Sequence, residues 1–529
     1  MRFIVQPARR SPSEAGPRAA ILVPSDWDDF GYKTSYDLWI RLADNTHPIE
    51  IGRVKIARAD QGPGSSVLPA STFESALPST LGFWVSLGQD DMYYEKIRSF
   101  GRATSHKLLT GLNDLAFDLE RFEEVRGFGV VENSLLRSVS DVTVTHQFHR
   151  IATGGTRLIG YKFQYQPPHS TAGPRARGPL DFEVTPESVP PTNIHVLIGR
   201  NGVGKTTLLR SLAEAAAVSP FRLPMGDLFP RIEHLPHGSG EPQTFANVLL
   251  VAFSAFDPFT DIHPNPDEAG YTHIGLAKQG RGSTSLKSQS DLADEFIDSF
   301  TSILTSGHQE RWMHAVQTLG SDPQFDAAVL RDCGVEGDTL EVEFLAGSDP
   351  SQTLRTPSGR PWHDVFMNLS SGHAIVLLTL TRLVDLVAER TLVLLDEPES
   401  HLHPPLLSSF IRALSDLLTN RNGVAVTATH SPVVLQEVPK SCVYKISRHG
   451  QHSRARRPQY ETYGENVGVL THEIFGLEVM RSGFYAEIER AVEAFNDYGE
   501  VVNYFDGQLG DEARGLVRIL LADKQRGDG

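Results

Sequence analysis

One run constrains this chain more than any other: Gly199-Arg200-Asn201-Gly202-Val203-Gly204-Lys205-Thr206. It fits the pattern G-x-x-x-x-G-K-[ST] at every fixed position. Glycines let the backbone turn so that successive N–H groups converge on phosphate oxygens. An apolar run at residues 194–198 precedes the loop, and an amphipathic stretch at 205–217 follows it. That order aims the positive N-terminus of a helix at the same anion. Gly199, Asn201, Gly202, Val203, Gly204, Lys205, Thr206 and Thr207 are therefore the expected cradle. In such a loop the lysine reaches the β- and γ-phosphates and the Thr206 hydroxyl ligates Mg²⁺. A chain with this loop has to build a strand–loop–helix unit on a sheet.

The rest of the chain has to house that unit. Its 529 residues, at about 150 per domain, predict two to four domains. Residues 391–395 and 424–427 are further apolar strands, and 248–253 is another. Between them lie helical stripes: Leu292, Phe296, Phe300 and Ile303, then Leu407, Phe410, Ile411, Leu414 and Leu418, the second after Pro404-Pro405, where proline suits a helix start. Strands alternating with helices imply an α/β sheet. Ahead of this, residues 1–140 read as a mixed module. Tyr36, Leu38, Ile40 and Leu42 alternate as in a strand, with residues 49–56 as hairpin partner and Asp44-Asn45 in the turn. Residues 91–125 carry a helical stripe of Leu108, Leu109, Leu112, Leu115 and Leu119. Residues 142–165 read as a second β region turning at Gly154-Gly155, and 167–179 as an exposed loop.

Composition narrows the classes. With 49 Lys and Arg against 65 Asp and Glu, the net charge of −16 excludes a wholly basic nucleic-acid coat. Two cysteines, Cys333 and Cys442, exclude a disulfide scaffold and a cysteine-rich zinc module. The first residues hold no long apolar h-region, and no run approaches the roughly 20 apolar residues of a membrane span. The expectation is a cytoplasmic protein with no membrane partner.

The second half of the site is Asp396-Glu397-Pro398, at the end of the apolar run 391–395. Open α/β sheets bind ligands at the carboxyl ends of their strands. Asp396 is placed to organise Mg²⁺, through a water ligand, and Glu397 to orient or deprotonate the attacking water. Two further stretches complete an ordered set: Leu369-Ser370-Ser371-Gly372-His373, and His430 within Thr429-His430-Ser431-Pro432. The first lies 166 residues after Lys205 (371 − 205) and 25 before Asp396 (396 − 371).

On these residues the chain resembles the ABC-type ATPase superfamily, across about residues 141–435. The resemblance implies ATP and Mg²⁺ as cofactors. It implies that Ser370, Ser371 and Gly372 contact the γ-phosphate of ATP held by a second subunit, and that His430 senses the γ-phosphate. Two positions of the signature loop depart from the usual L-S-G-G-Q: Ser371 for glycine and His373 for glutamine. The glutamine expected after the strand at 248–253 is also absent; Ser254 or Asp257 stands near that place. His401, His403 and His430 form an alternative metal set, set against Glu399–Pro404 as a loop that crosses a dimer interface.

The run Asp396-Glu-Pro-Glu-Ser-His-Leu-His-Pro404 is similar to the RecF-like, SMC-like and OLD-like branch. The short arm between Ser288 and Val316 leaves no room for an SMC-like coiled coil. Beyond His430, 99 residues remain (529 − 430), with Asp497, Asp506 and Asp511 but no D-x-D pair, so a built-in nuclease is not expected. The expected fold is α/β: a P-loop NTPase head of ABC type at 141–435, with an antiparallel β-subdomain and a helical insertion at about 260–365. An N-terminal mixed α+β module (1–140) and a C-terminal hairpin and helical docking tail (436–529) complete it. The layout resembles stand-alone ATPases of bacterial anti-phage systems, such as Septu-like systems. That implies a homodimer formed through the ATP sites and a separate effector, a nuclease or toxin. The alternative is a DNA repair or chromosome-maintenance ATPase that binds nucleic acid itself, for which Lys445, Arg448, Arg454, Arg456 and Arg457 are the candidate contacts. Energising transport is a third, weaker reading. Trp27-Asp28-Asp29 and the turn Ser86–Asp90 are structural or partner contacts.

Overall fold

The computed structural model describes residues 2–6, 19–25, 29–41, 47–64, 68, 71–74, 76–77, 83–154, 160–167, 178–217, 230–235, 245–254, 270–278, 286–306, 308–331, 335–336, 339–340, 342–344, 354–449, 452–479 and 483–527. Asp44-Asn45, Trp27-Asp28, Gly155, Asp257, Cys333, Gly450 and most of 167–179 lie outside them.

A seven-stranded sheet organises the centre. Its order is Gly270–Gly275, Asn247–Ala252, Thr391–Asp396, Val424–Thr429, Ile194–Ile198, Val443–His449, His452–Arg456. The first six are mutually parallel, and the last pairs antiparallel with its neighbour. Alternation along the strands assigns each side chain a face. Leu392, Leu394, Val424 and Val426 face Leu208, Leu209 and Leu212 of the helix Lys205–Ala217. Val393, Leu395 and Ala425 face the opposite layer, built by the helices Gln289–Ser306, Gln309–Leu319, Ser371–Leu386 and Pro404–Thr419. Covered on both faces, these strands read as unbroken apolar runs. Each of the leucines at 392, 394 and 395 is fully buried and contributes about 1.5–3 kcal/mol of transfer free energy.

A three-stranded antiparallel sheet, Arg231–Leu235, Tyr161–Gln166 and Leu180–Val184, packs on the Lys205–Ala217 side. Tyr161, Phe163 and Tyr165 alternate inward and Phe163 stacks on Phe182 with centroids 4.8 Å apart. This is the expected β-subdomain. Within the expected helical insertion, about 260–365, Gly270–Gly275 is a strand of the central sheet, and among the described residues the helices begin at Gln289. Its polar Tyr271-Thr272-His273 centre hid it from an apolar-run reading, since an edge strand has only one neighbour to bury against.

The leading module is a six-stranded sheet, Thr72–Glu74, Arg2–Val5, Ala19–Pro24, Ser35–Arg41, Ile49–Arg58 and Trp84–Gly88, covered by helices from Asp91 onward. One expectation is corrected here. Residues 143–153 are helical, not a strand, and end at Gly154 in a left-handed conformation (φ 104°). Val144, Phe148 and Ile151 recur at spacings of four and three and are fully buried in the module's core, a helical stripe that the β-branched residues disguised. We propose that the module closes at Gly154 rather than at residue 140.

The strand Val443–His449 is a second adjustment. It pairs with Ile194–Ile198, so the hairpin assigned to the tail completes the head's sheet. Behind it come the helices Val467–Val479, Phe484–Ala494, Tyr498–Tyr504 and Asp511–Gly527. The last three share a small core of Ile488, Val492, Val501, Val517 and Leu521. Asp497 caps the Tyr498 helix by accepting from the Gly499 and Glu500 N–H groups. Asp506 holds a left-handed turn (φ 50°), and Asp511 opens the last helix. Among the described residues no helix is long and apolar enough to cross a membrane.

The module is held to the head by charge. Asp90 and Asp91 meet Arg311 of the arm and Arg421, which follows Pro404–Thr419. Arg150 donates to Glu389 at 2.9 Å, and Gln147 donates to the Asn420 carbonyl at 3.2 Å. The turn Ser86–Asp90 is thus part of the junction: Gln89 is buried and donates to the Leu87 and Leu135 carbonyls. Asp29 is also structural, paired in the module's interior with Lys55 at 2.8 Å and Arg137 at 2.7 Å.

Candidate nucleotide-binding site

The phosphate loop leaves the sheet directly after Ile198. Gly202 and Gly204 take φ of 76° and 86°, a region L-residues avoid. Gly199 is required for another reason: a Cβ there would lie 2.3 Å from the Ile446 carbonyl oxygen, on the neighbouring strand. Val203 tucks into the core beneath the loop, while Arg200, Asn201, Gly202 and Thr207 face outward. Lys205 is 4% exposed. Its ammonium donates to the Gly199 and Arg200 carbonyls at 3.0 and 3.1 Å, curling back over the loop. Burial lowers its pKa; Glu397, Glu399 and Asp396 oppose that shift.

Thr206 donates from Oγ1 to Asp396 Oδ1 at 3.0 Å, tying the loop to the strand end 190 residues away. Asp396 sits in register between Ala252 and Ala428, at the carboxyl edge of the sheet. Glu397 follows with φ 47° and ψ 57°, left-handed for a non-glycine residue, and its N–H donates to the Ala428 carbonyl at 2.8 Å. A conformation of that kind costs of order 1–3 kcal/mol and concentrates at functional sites. The next residues, Pro398–His401, form a 3₁₀ turn. His430, at the end of Val424–Thr429, approaches Glu397 Oε1 at 3.8 Å and Glu399 Oε1 at 3.0 Å through Nδ1. Lys205, Thr206, Asp396, Glu397 and His430 therefore share one edge of the sheet. Ser254 lies just past Ala252 on that edge, one strand from Glu397.

The signature loop is built differently. Ser370 is the N-cap of Ser371–Leu386 and accepts from the His373 N–H at 3.3 Å. A Cβ on Gly372 would stand 2.5 Å from the His401 carbonyl oxygen, so the loop rests against the turn after Glu397. The helix it opens lies across the sheet from Lys205–Ala217. His373 is buried; its Nε2 stands 3.6 Å from Asp322 Oδ1, and its ring meets Phe325 edge-on. His403 Nε2 reaches Asp322 Oδ2 at 2.8 Å. The three histidines of the alternative metal set thus go to separate partners, His401 to the Phe253 carbonyl at 3.3 Å, His403 to Asp322 and His430 to Glu399. Among the described residues no group of three or more His, Cys, Asp and Glu is arranged to hold a metal ion. Asp322 carries no role in the sequence reading, and Glu399 enters it only as the first residue of the loop expected to cross a dimer interface. The one available signal was a second acid, Glu399, two residues beyond Glu397.

The arginine cluster lies on the edge hairpin. Arg454 and Arg456 are exposed and share a face of the outermost strand. Arg457 is committed elsewhere, its guanidinium 3.6 Å from the Tyr444 ring centroid and donating to the Val443 and Asp181 carbonyls. Lys445 donates to the Glu473 carbonyl.

This fold and this edge constellation are those of a P-loop NTPase head of the ABC type. A family model described as AAA domain, putative AbiEii toxin, Type IV TA system, matches residues 346–436, a span that includes the signature helix, Asp396-Glu397 and His430. Protein ea59 of Escherichia phage lambda is 36% identical over 515 residues, 96% of this chain and 96% of that one. The chain belongs to the family of Protein ea59. Among solved structures it is similar to an ADP-conformation ATP-binding cassette of an ABC transporter, at 12% identity and a TM-score of 0.29 over 61% of this chain and 99% of that one. It is also similar to the SMC head domain from Thermotoga maritima, at 12% identity and a TM-score of 0.27 over 57% and 99%.

Proposed function

We propose that the chain is a Mg²⁺-dependent ATPase that dimerises head-to-tail around two ATP molecules and so controls a separate effector. The observation that carries this reading is the single edge shared by Lys205, Thr206, Asp396, Glu397 and His430. The loop N–H groups and Lys205 bind the β- and γ-phosphates. Thr206 Oγ1 and Asp396, 3.0 Å apart, offer the oxygen donors that a hard cation takes, so these two residues would hold Mg²⁺, which draws charge from the phosphates. Glu397 accepts a proton from the attacking water, and His430 contacts the γ-phosphate.

The dimer is supported by where the signature loop sits. Its helix packs on the opposite face of the sheet from the phosphate-loop helix. Ser370, Ser371 and Gly372 then serve a second copy's nucleotide rather than their own. ATP joins two heads and its hydrolysis releases them. For the effector, a nuclease or toxin in anti-phage defence is the preferred reading. The description of the matched family, a putative toxin of a Type IV system, supports a toxin-linked setting. The alternative, direct action on DNA, has Arg448, Arg454 and Arg456 as the exposed cations of the proposed cluster to support it. The test is turnover and assembly together: the wild-type chain should hydrolyse ATP with Mg²⁺, and Glu397→Gln should bind ATP and accumulate as a dimer. A monomer at saturating ATP in that variant overturns the dimer reading. DNA binding measured against salt, with a slope near zero, would remove the alternative.

A further inference from the structure

Glu399 occupies an unusual position for an acid. Its side chain is 7% exposed. One oxygen, Oε1, takes every recorded contact: the Thr429 hydroxyl at 2.6 Å, the His430 N–H at 2.7 Å and His430 Nδ1 at 3.0 Å. The other oxygen, Oε2, is buried without a hydrogen-bond partner. Idle buried oxygens of this kind are costly and rare. A cap for the His430 backbone alone would need no charge, since the Thr429 hydroxyl already accepts from the Ser431 N–H at 2.9 Å and orders the same turn.

The ring contact supplies the reason. An ionised carboxylate only accepts, so a hydrogen bond across this ring contact requires the proton on the imidazole nitrogen that faces it. That nitrogen is Nδ1, and Glu397 stands on the same side at 3.8 Å. With Nδ1 so engaged, Nε2 is the nitrogen left for a ligand. A phosphate oxygen also only accepts, so contact with it needs a proton on Nε2 as well. A ring that donates from both nitrogens is an imidazolium, and a carboxylate on Nδ1 supplies the opposing charge.

We propose that Glu399 is the positioning residue for His430: it orients the ring through Nδ1 and holds it as the doubly protonated donor that meets the terminal phosphate. This rests on the ATPase reading for its consequence, not for its geometry. Glu399 acts through His430 and touches no reacting atom.

The test uses the full chain labelled with ¹⁵N-histidine and a non-hydrolysable ATP analogue with Mg²⁺. His430→Ala identifies the His430 signals. In the wild-type chain both ring nitrogens of His430 should be protonated. In Glu399→Ala the Nδ1 proton should be lost. Turnover should fall about 10- to 100-fold, the range for residues that orient a group that acts, with ATP affinity changed less than about threefold. Glu399→Gln keeps the size and an acceptor oxygen, so it should fold, retain Nδ1–H and lose less turnover. The Glu399→Ala/His430→Ala double variant should be no slower than His430→Ala alone. Unchanged ring protonation in Glu399→Ala, or losses that multiply in the double variant, would overturn the proposal. If the wild-type chain shows no turnover, the ATPase reading fails, and the ring protonation still decides the role of Glu399.

Discussion

Arg311→Ala probes how the leading module is fixed to the ATPase head. Arg311 contacts Asp90 and Asp91 (Nη2 to Asp91 Oδ1 at 3.2 Å), and its side chain is 11% exposed. Arg421 is the other cation, 3.6 Å from each acid. Burial pushes Asp90 up, but Arg311 and Arg421 overcome it and bring the carboxyl down to about 2. Asp91 goes the other way: burial raises it beyond what Arg421 offsets. Removing Arg311 leaves two buried acids facing one guanidinium. An uncompensated buried charge costs about 3–5 kcal/mol. The relief is for Asp91 to take a proton. From an ordinary value near 3.8, protonation at pH 7 costs about 4 kcal/mol, at 1.36 kcal/mol per unit. The two routes agree, so the variant should lose about 3–4 kcal/mol at pH 7. The protonation route costs about 2 kcal/mol at pH 5.5 on the same scale, so the loss should shrink by roughly half. Urea unfolding followed by tryptophan fluorescence at both pH values measures it; Trp312 adjoins the substituted position. A loss under about 1 kcal/mol, or one independent of pH, would refute this account of the junction.

Other perturbations test the site and the module. Glu397→Gln should slow turnover by about 10²- to 10⁴-fold while ATP affinity, read by a fluorescent analogue, stays within a fewfold. Lys205→Ala removes a charged donor to phosphate worth about 1.5–3 kcal/mol, so equilibrium binding should weaken by about 10- to 100-fold. Gly372→Ala places a Cβ against the His401 carbonyl; light scattering should show loss of the ATP-dependent dimer with nucleotide binding intact. Asp114 is raised to about 7, chiefly by burial. A raised folded-state value gives stability that is complete below pH 4 and is lost as pH rises through 7. The urea midpoint of the wild-type chain should carry that decline, and Asp114→Asn should flatten it.

How much of this was legible in the sequence depended on distance along the chain. The phosphate loop, the Asp396-Glu397 strand end and His430 were legible because each is a local pattern tied to one strand end. The parallel strands were legible because burial on both faces removes polar alternation. Gly270–Gly275 and Val443–His449 were missed as parts of the head, since an edge position leaves a polar pattern and the second lies beyond the last motif. Residues 143–153 misled through β-branched valine and threonine, where the spacing of Val144, Phe148 and Ile151 was the better signal. Pairings such as Asp322 with His403, or Asp90 with Arg421, join residues 81 (403 − 322) and 331 (421 − 90) positions apart. No local pattern encodes them.

One departure from the ABC pattern, His373, is tied into a chain of contacts. His373, which stands where the signature loop usually has glutamine, needs a partner because it is buried. Asp322 supplies one, and also caps Pro323–Phe325 by accepting from the Gln324 and Phe325 N–H groups at 3.0 and 2.8 Å. The same carboxylate reaches His403 in the segment after Glu397. One acid of the helical arm thus joins the signature helix to the segment that carries Glu399, while Glu399 joins that segment to His430. At their other end the arm's helices carry Arg311, which meets Asp90 and Asp91 of the leading module. The contacts therefore run without a break from the module, through the arm, to the edge where the nucleotide is placed. Packed elements with discrete contacts are what carry coupling between distant surfaces. A change at Arg311 that leaves phosphate-loop binding intact but alters turnover would show that this route is used.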